Sequence, residues 1–155
     1  MKAQDSDESN IREDDLLEIL HEPLKRVSGQ AKQKDIKITR HIEPLKITTD
    51  ADKLSEIVYI LLDNAIKYSP NGSTVTVVAG HHTIAVTDQG PGVSDQDHPR
   101  IFERFYRSDK SHTSDGFGLG LALAQSLSMK IHAKISERNV RANNKIVGAQ
   151  FIVEF

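Results

Sequence analysis

The chain contains no cysteine. A disulfide framework and a cysteine-based zinc site are both excluded, and the composition suits a reducing compartment. Aromatic residues are scarce at 5%, and tryptophan is missing altogether. No basic patch carries interleaved aromatics, so there is no stacking platform for single-stranded nucleic acid. Neither sign of charge dominates, since 20 Lys and Arg face 22 Asp and Glu for a net charge of -2. That balance gives no electrostatic case for nucleic acid or an anionic membrane as a partner. No apolar run reaches membrane-spanning length, and the opening "MKAQDSDESN" lacks the apolar core of a signal peptide. The chain as given reads as soluble. What is present, 155 residues of which 37% are hydrophobic, is enough for one domain with a sizeable core.

Residues 1–10 are polar and read as a flexible linker, leaving 11–155 as the domain. Asp15 and Glu18 have capping-box spacing, so a helix is expected to begin near Asp14 or Asp15. Leu16, Leu20, Leu24, Val27 and Ala31 form its apolar face, and Pro23 should kink it or mark a second start. Residues 36–42 and 45–49 read as short strands. A second helix is expected over 52–68, with Leu54, Ile57, Val58, Leu61 and Ala65 as its core stripe. Residues 71–92 read as a turn, a strand, a tight connection, a second strand and a Gly-Pro-Gly loop. Residues 99–107 are short and helical or irregular, 108–120 form a loop, and 121–130 a third helix. Two last strands, 133–139 and 148–155, pair through a loop at 140–147. Helices and strands mix without strict alternation, which predicts an α+β fold with helices on one face of a mostly antiparallel sheet.

The second helix carries polar residues where a buried helix should have none. Ile60, Asn64, Lys67 and Tyr68 share one face, rotated away from the core stripe. The simplest account is a wet helix face. A sharper one is a ligand wall. Asn64 offers an amide oxygen to a hard cation such as magnesium. Lys67 offers a point charge to phosphate, and Tyr68 a ring to a flat heterocycle. Asp63 lies off this face and reads as solvated.

Two glycine loops follow. "TDQGPGV" (87–93) ends a strand, putting Asp88 at a strand end with Gly90 and Gly92 after it. Alone it reads as a turn; an ionised Asp there could also accept a hydrogen bond from an exocyclic amine such as that of adenine. "GFGLGLALA" (116–124) puts Gly116, Gly118 and Gly120 directly before a helix, where free N–H groups favour an anion. The dinucleotide fingerprint fits poorly, because Leu121 stands where its third Gly would be and no strand precedes it. A P-loop fits no better, because no Lys-Ser/Thr pair follows.

Taken in order, these segments resemble the catalytic, ATP-binding domain of bacterial sensor histidine kinases, within the gyrase/Hsp90/histidine kinase/MutL ATPase superfamily. "LLDNAIKYSP" resembles its N box, "DQGPGV" its G1 box, "IFERFYRSDKS" its F box and "GFGLGLALA" its G2 box. The likeness covers roughly residues 11–155. It implies a Bergerat-type ATP-binding fold: a two-layer α/β sandwich of about five strands with three main helices on one face. It implies ATP and magnesium as cofactors, with Asn64 the metal ligand and Lys67 and Arg107 on the phosphates as the catalytic cations. Tyr68 would stack near adenine, Asp88 would bind its amino group, and Gly90 and Gly92 would shape that pocket. Residues 108–120 would form a mobile lid with Gly116, Phe117, Gly118, Leu119 and Gly120 at its phosphate end. Phe102 and Phe105 would anchor the lid base; singly, each reads equally well as an ordinary core aromatic.

The resemblance also implies what lies elsewhere. The phosphate would pass to a histidine on a separate dimerisation domain, and from there a response regulator is reached indirectly. The chain would act as a cytoplasmic kinase fragment, the cytosolic part of a membrane-bound sensor, with little turnover by itself. "HEPLKR" (21–26) resembles a phosphoacceptor motif only superficially, since no helical hairpin fits before residue 50. The histidines at 81 and 82 read as an exposed hairpin connection, and His41, His98, His112 and His132 share no metal-ligand spacing. Three positions depart from the family. Ile60 stands where a second Asn is usual, "KIHAKI" (130–135) replaces a His-Gly-Gly turn, and "VGAQF" (147–151) reduces a late Gly-Thr pair. The last two are expected to touch turns rather than the pocket. The alternative reading is a degenerate module of the same fold, used to bind a partner protein with weak or no nucleotide binding.

Overall fold

The structure, a computed structural model, describes residues 10–104, 106 and 120–155. A first strand, β1 (Ile11–Asp15), leads into helix α1 (Leu16–Gln33). Strands β2 (Lys37–Ile42) and β3 (Lys46–Asp50) precede helix α2 (Ala51–Tyr68). The hairpin β4 (Thr74–Gly80) and β5 (Thr83–Thr87) follows, then a 3-10 turn at His98–Arg100. Helix α3 (Gly120–Lys130) and strands β6 (Lys134–Ala142) and β7 (Lys145–Glu154) complete the described elements. The main sheet runs β2-β4-β5-β7-β6, parallel only between β2 and β4. A second, two-stranded sheet pairs β1 antiparallel with β3. This is the α+β fold expected from the pattern, with five strands in the main sheet.

The alternation of each strand decides where the core lies. Val75, Val77 and Ala79 of β4, Ile84 and Val86 of β5, and Ala149, Phe151 and Val153 of β7 are buried. They sit in register across the sheet (Val77 opposite Val86, Val86 opposite Phe151), so they share one face. The helices cover that face. Helix α2 supplies Leu54, Ile57, Val58, Leu61, Leu62, Ala65 and Ile66, each buried, at helical spacing. Each such large side chain contributes about 1.5–3 kcal/mol when removed from water. The N-terminus of α2 is capped by Asp50, whose side chain accepts from the Lys53 N–H at 3.2 Å. Burial pushes the Asp50 carboxyl up, but hydrogen bonds from the Asn10 and Lys53 N–H groups and from Lys53 Nζ outweigh this and hold it below the ordinary range.

Several expectations meet a different structure. Pro23 neither ends α1 nor starts a second helix; it is buried on the core-facing row of a helix that runs from Leu16 to Gln33. The roughly 3 kcal/mol cost of an interior proline is offset by the burial of Leu16, Ile19, Leu20, Leu24, Val27 and Ala31 on the same row. Asp15 takes the N-cap position but makes no side-chain cap; the Leu16 N–H is met instead by the Leu45 carbonyl at 2.9 Å. Residues 11–15 are a strand, because β3 offers them a partner. The supposed loop 140–147 is mostly strand: β6 and β7 meet at Asn143 and Asn144, whose φ angles of 53° and 65° make a tight two-residue turn. Of the proposed linker, residues 1–9 lie outside the described residues, while the Asn10 N–H donates to Asp50 Oδ2 at 3.0 Å.

One close approach positions the site. A Cβ at Gly148 of β7 would overlap the backbone carbonyl oxygen of Asp88. We expect Gly148→Ala to force the two backbones apart and destabilise the fold by about 1–3 kcal/mol. Denaturant unfolding checks this, and a change within experimental error would show that the strand end moves freely.

Candidate functional site

Strand β5 delivers Asp88 to the edge of the core, where the chain leaves the sheet. The residue is only 4% exposed. Its Oδ1 accepts from the Gly90 N–H at 2.8 Å and from the Ala149 N–H at 3.1 Å. Both bonds use the same oxygen, so Oδ2 is left to the cavity that Asp88 lines. Burial pushes the Asp88 carboxyl up, and the two backbone N–H donors pull against it. Gly90 can make its bond because it has no side chain: a Cβ there would lie 2.5 Å from the Tyr68 carbonyl oxygen. Gly92 adopts φ +76°, the left-handed region that favours glycine.

The cavity is bounded on one side by Asn64 and Tyr68 of α2, and on another by Leu121 of α3. The strip Pro91–Ser94 forms a wall, and Ala149 and Phe151 of β7 form the floor beside Asp88. Asn64, Tyr68, Asp88 and Gly92, all singled out in the sequence, line this one cavity. Gly90 turns the chain just behind Asp88. Gly120 opens α3, with space for a Cβ 3.6 Å from Ile60 Cγ2. Ile60 is 7% exposed and belongs to the core beneath α3. Arg107, Gly116, Phe117, Gly118, Leu119 and Phe105, and the proposed lid before Gly120, lie outside the described residues.

Lys67 departs from expectation. Its Nζ sits 3.0 Å from Asp63 Oδ2, one helical turn back, and it does not line the cavity. Asp63 is therefore not merely solvated. It also accepts from Gln30 Nε2 of α1 at 3.0 Å, which ties the polar side of α2 to its neighbour. Phe102 packs edge-on against Phe151, with ring centroids 6.3 Å apart. The late departure at "VGAQF" also touches the pocket, contrary to expectation, because its Ala149 both lines the cavity and donates to Asp88.

Several cavity residues were not singled out from the sequence. Tyr106 lines it and hydrogen-bonds through its hydroxyl to Asp97, with the Arg100 guanidinium 4.5 Å above its ring. Ser94 and Asp97 had a readable signal in their Ser-x-x-Asp spacing. The Ser94 hydroxyl donates to Asp97 Oδ2 at 2.9 Å and accepts from the Asp97 N–H at 3.1 Å. Behind the floor, the Glu137 side chain of β6 is wholly buried, with His98 Nε2 2.7 Å from its Oε1. Burial pushes the Glu137 carboxyl up; the His98 ring works against this, and the nearby Asp88 charge adds to it. Among the described residues no group of three or more His, Cys, Asp or Glu could hold a metal ion.

Comparison with known proteins gives these features a context. The chain is 38% identical over 138 residues to the sensor protein QseC of Escherichia coli O157:H7, covering 89% of this chain and 29% of that protein. It is 37% identical over 121 residues to the signal transduction histidine-protein kinase/phosphatase MprB of Mycolicibacterium smegmatis, covering 75% of this chain and 24% of that protein. It therefore spans less than a third of the length of these curated relatives. The solved structure of a mycobacterial sensor histidine kinase MprB superposes with a TM-score of 0.82 at 28% identity, over 92% of this chain and 95% of that one. Full-length ShkA in complex with AMPPNP gives a TM-score of 0.78 at 29% identity, over 95% of this chain and 31% of that one. With residues 49–155 matching the family described as histidine kinase-, DNA gyrase B- and HSP90-like ATPase, the chain belongs to that family.

Proposed function

We propose that this chain is the magnesium- and ATP-binding catalytic domain of a two-component sensor histidine kinase. The observation that carries the reading is the Asp88 carboxylate, buried at a strand end on the lining of a cavity, with both of its backbone hydrogen bonds made by Oδ1. Such a group recognises a ligand that brings its own donor, as the adenine amine does. Tyr68 and Ile101 supply apolar walls for a flat base. The fit to magnesium rests on Asn64, which lines the same cavity. A single amide oxygen suits a hard cation that takes its remaining ligands from phosphates and water. Bound there, the cation would neutralise phosphate charge. Lys67 would leave Asp63 for a phosphate, and Arg107 and the glycines at 116, 118 and 120 would complete the phosphate end.

The γ-phosphate would then be presented to a histidine on a dimerisation domain, with a response regulator further along. The domain we propose spans 11–155, since β1 is bonded to β3 and α1 packs on α2, both preceding or entering the matched residues. Among the described residues no helix is long and apolar enough to cross a membrane. A place on the cytoplasmic side of a sensor is consistent with that.

A second reading, a partner-binding module with a weakened pocket, is favoured by the buried Ile60 and the Asp63–Lys67 pair. Calorimetry with a non-hydrolysable ATP analogue, with and without magnesium, separates the two. Metal-dependent binding is expected, and no heat at millimolar nucleotide would leave only the second reading. Asp88→Ala should weaken binding roughly ten- to a hundredfold, and a change under twofold would remove Asp88 as the reader of the base.

Asp88→Asn tests the same residue through stability. Its Oδ1 still accepts from Gly90 and Ala149. The folded-state carboxyl of Asp88 lies above its unfolded value, so its contribution is full at low pH and lost as pH rises through the folded value. The uncharged amide loses nothing. The variant should therefore melt higher than wild type at neutral pH, with the gap closing as pH falls into the carboxylate range. A pH-independent gap would contradict the burial of a charged Asp88.

A further inference from the structure

The wall of the cavity is held by a residue that does not line it. Val93 sits between Gly92 and Ser94 in the strip facing the cavity. The Val93 N–H donates to Asn139 Oδ1 at 2.8 Å, and Asn139 Nδ2 donates to the Val93 carbonyl at 2.7 Å. Two reciprocal bonds from one side-chain amide to one residue's backbone reproduce what a neighbouring strand would supply. Only one orientation of the amide satisfies both. Asn139 stands on β6, 46 residues away from Val93 in the chain.

The register gives this clamp its reach. Asn139 lies directly opposite Ala149 on β7, and the Ala149 N–H holds Asp88 Oδ1. One cross-strand pair therefore grips both ends of the strip, Asp88 through Ala149 and Val93 through Asn139. Gly92 fits the same contact, because a Cβ there would lie 2.7 Å from Asn139 Oδ1. The Ile146 side chain of β7 lies nearer still, and the left-handed backbone at Gly92 adds its own preference for glycine.

We propose that Asn139 is a positioning residue for the base end of the pocket: it fixes the distance between the Asp88 carboxylate and the Val93–Ser94 wall, and so sets nucleotide affinity and the preference for adenine. The inference rests on the nucleotide reading given above. Asn139 touches no ligand in this scheme; it acts through the backbone of Val93.

The test compares wild type, Asn139→Ala and Asn139→Asp by calorimetry with a non-hydrolysable ATP analogue, ADP and the matching guanine nucleotides. Melting curves confirm that each variant is folded at the temperature used. Asn139→Ala should lose about tenfold in affinity for the ATP analogue and for ADP alike, from two hydrogen bonds, and its adenine-over-guanine preference should shrink. Asn139→Asp supplies a readout that a merely stabilising residue would not move. At neutral pH its carboxylate can accept from the Val93 N–H but has no proton for the Val93 carbonyl. Protonated, it is an isostere of the amide, so its affinity relative to wild type should recover as pH falls into the carboxyl range. A loss under twofold in Asn139→Ala, a loss confined to the ATP analogue, or a flat pH ratio for Asn139→Asp would overturn the proposal while leaving the nucleotide reading intact. Wild type that binds no nucleotide would overturn both.

Discussion

A carboxylate taken out of water at the end of a strand must be given donors, or it takes up a proton and stops being an acceptor. Asp88 is in that position. Its donors come from two sides, Gly90 just after it and Ala149 on β7. Much of the site can be traced to that requirement. Gly90 must lack a side chain to turn beneath the Tyr68 carbonyl, and Gly148 must lack one to let β7 approach. Once those backbones are in place, Asp88 borders the space between α2 and the strip 91–94, and that space becomes the cavity. Glycine serves here for close approach more than for turning.

The polar groups around the cavity form two layers with different logic. In front, Asn64 and Tyr68 face the space directly, while Lys67 is held aside by Asp63. An exposed pair of this kind is worth little, so it restrains Lys67 without locking it. Behind, Glu137 and His98 make a tighter arrangement. The ring nitrogen of His98 lies 2.7 Å from Glu137 Oε1 and also bonds the Glu137 carbonyl at 3.0 Å. The one ring nitrogen is shared between the carboxylate and the carbonyl, and Glu137 Oε2 has no hydrogen-bond partner among the described residues. A buried carboxyl with Asp88 nearby makes the back of the site electrostatically costly, and His98, on a short 3-10 turn, is the group that offsets it.

The parts that could be read in the sequence were those set by local periodicity. Helix α2 begins one residue before the expected 52 and ends at the expected 68, and the β4–β5 hairpin turns at the paired histidines. The strand "IREDD" could not be read, since only one of its five residues is apolar and its partner β3 lies more than thirty positions on. The Asn143–Asn144 turn carried a recognisable signal for left-handed backbone, flanked by Val140 and Ala142 on one side and Ile146 and Val147 on the other. For the site, the cavity-lining residues at a strand end and on one helix face were legible; the residues that hold them were not. Gln30 against Asp63, His98 against Glu137 and Asn139 against Val93 meet only through tertiary packing. Lys67 shows the opposite case. Its spacing from Asp63 was visible as an i, i+4 pair, yet its face on the helix suggested a freer role.

The sheet order has a consequence in time. The two donors to Asp88 differ in when they exist: Gly90 follows it by two residues, Ala149 by 61. A chain emerging from the ribosome makes β5 and the strip after it long before β7 is available to slot between β5 and β6. Until then β5 is an edge strand, with one row of its backbone groups open to water or to another chain. Non-local pairing of this sort is slow because the intervening loop must first be closed. The side of the cavity that β5 and β7 build is thus the last to be assembled, and the nascent domain depends on the late arrival of the β6–β7 hairpin to cover the strand that leads into Asp88.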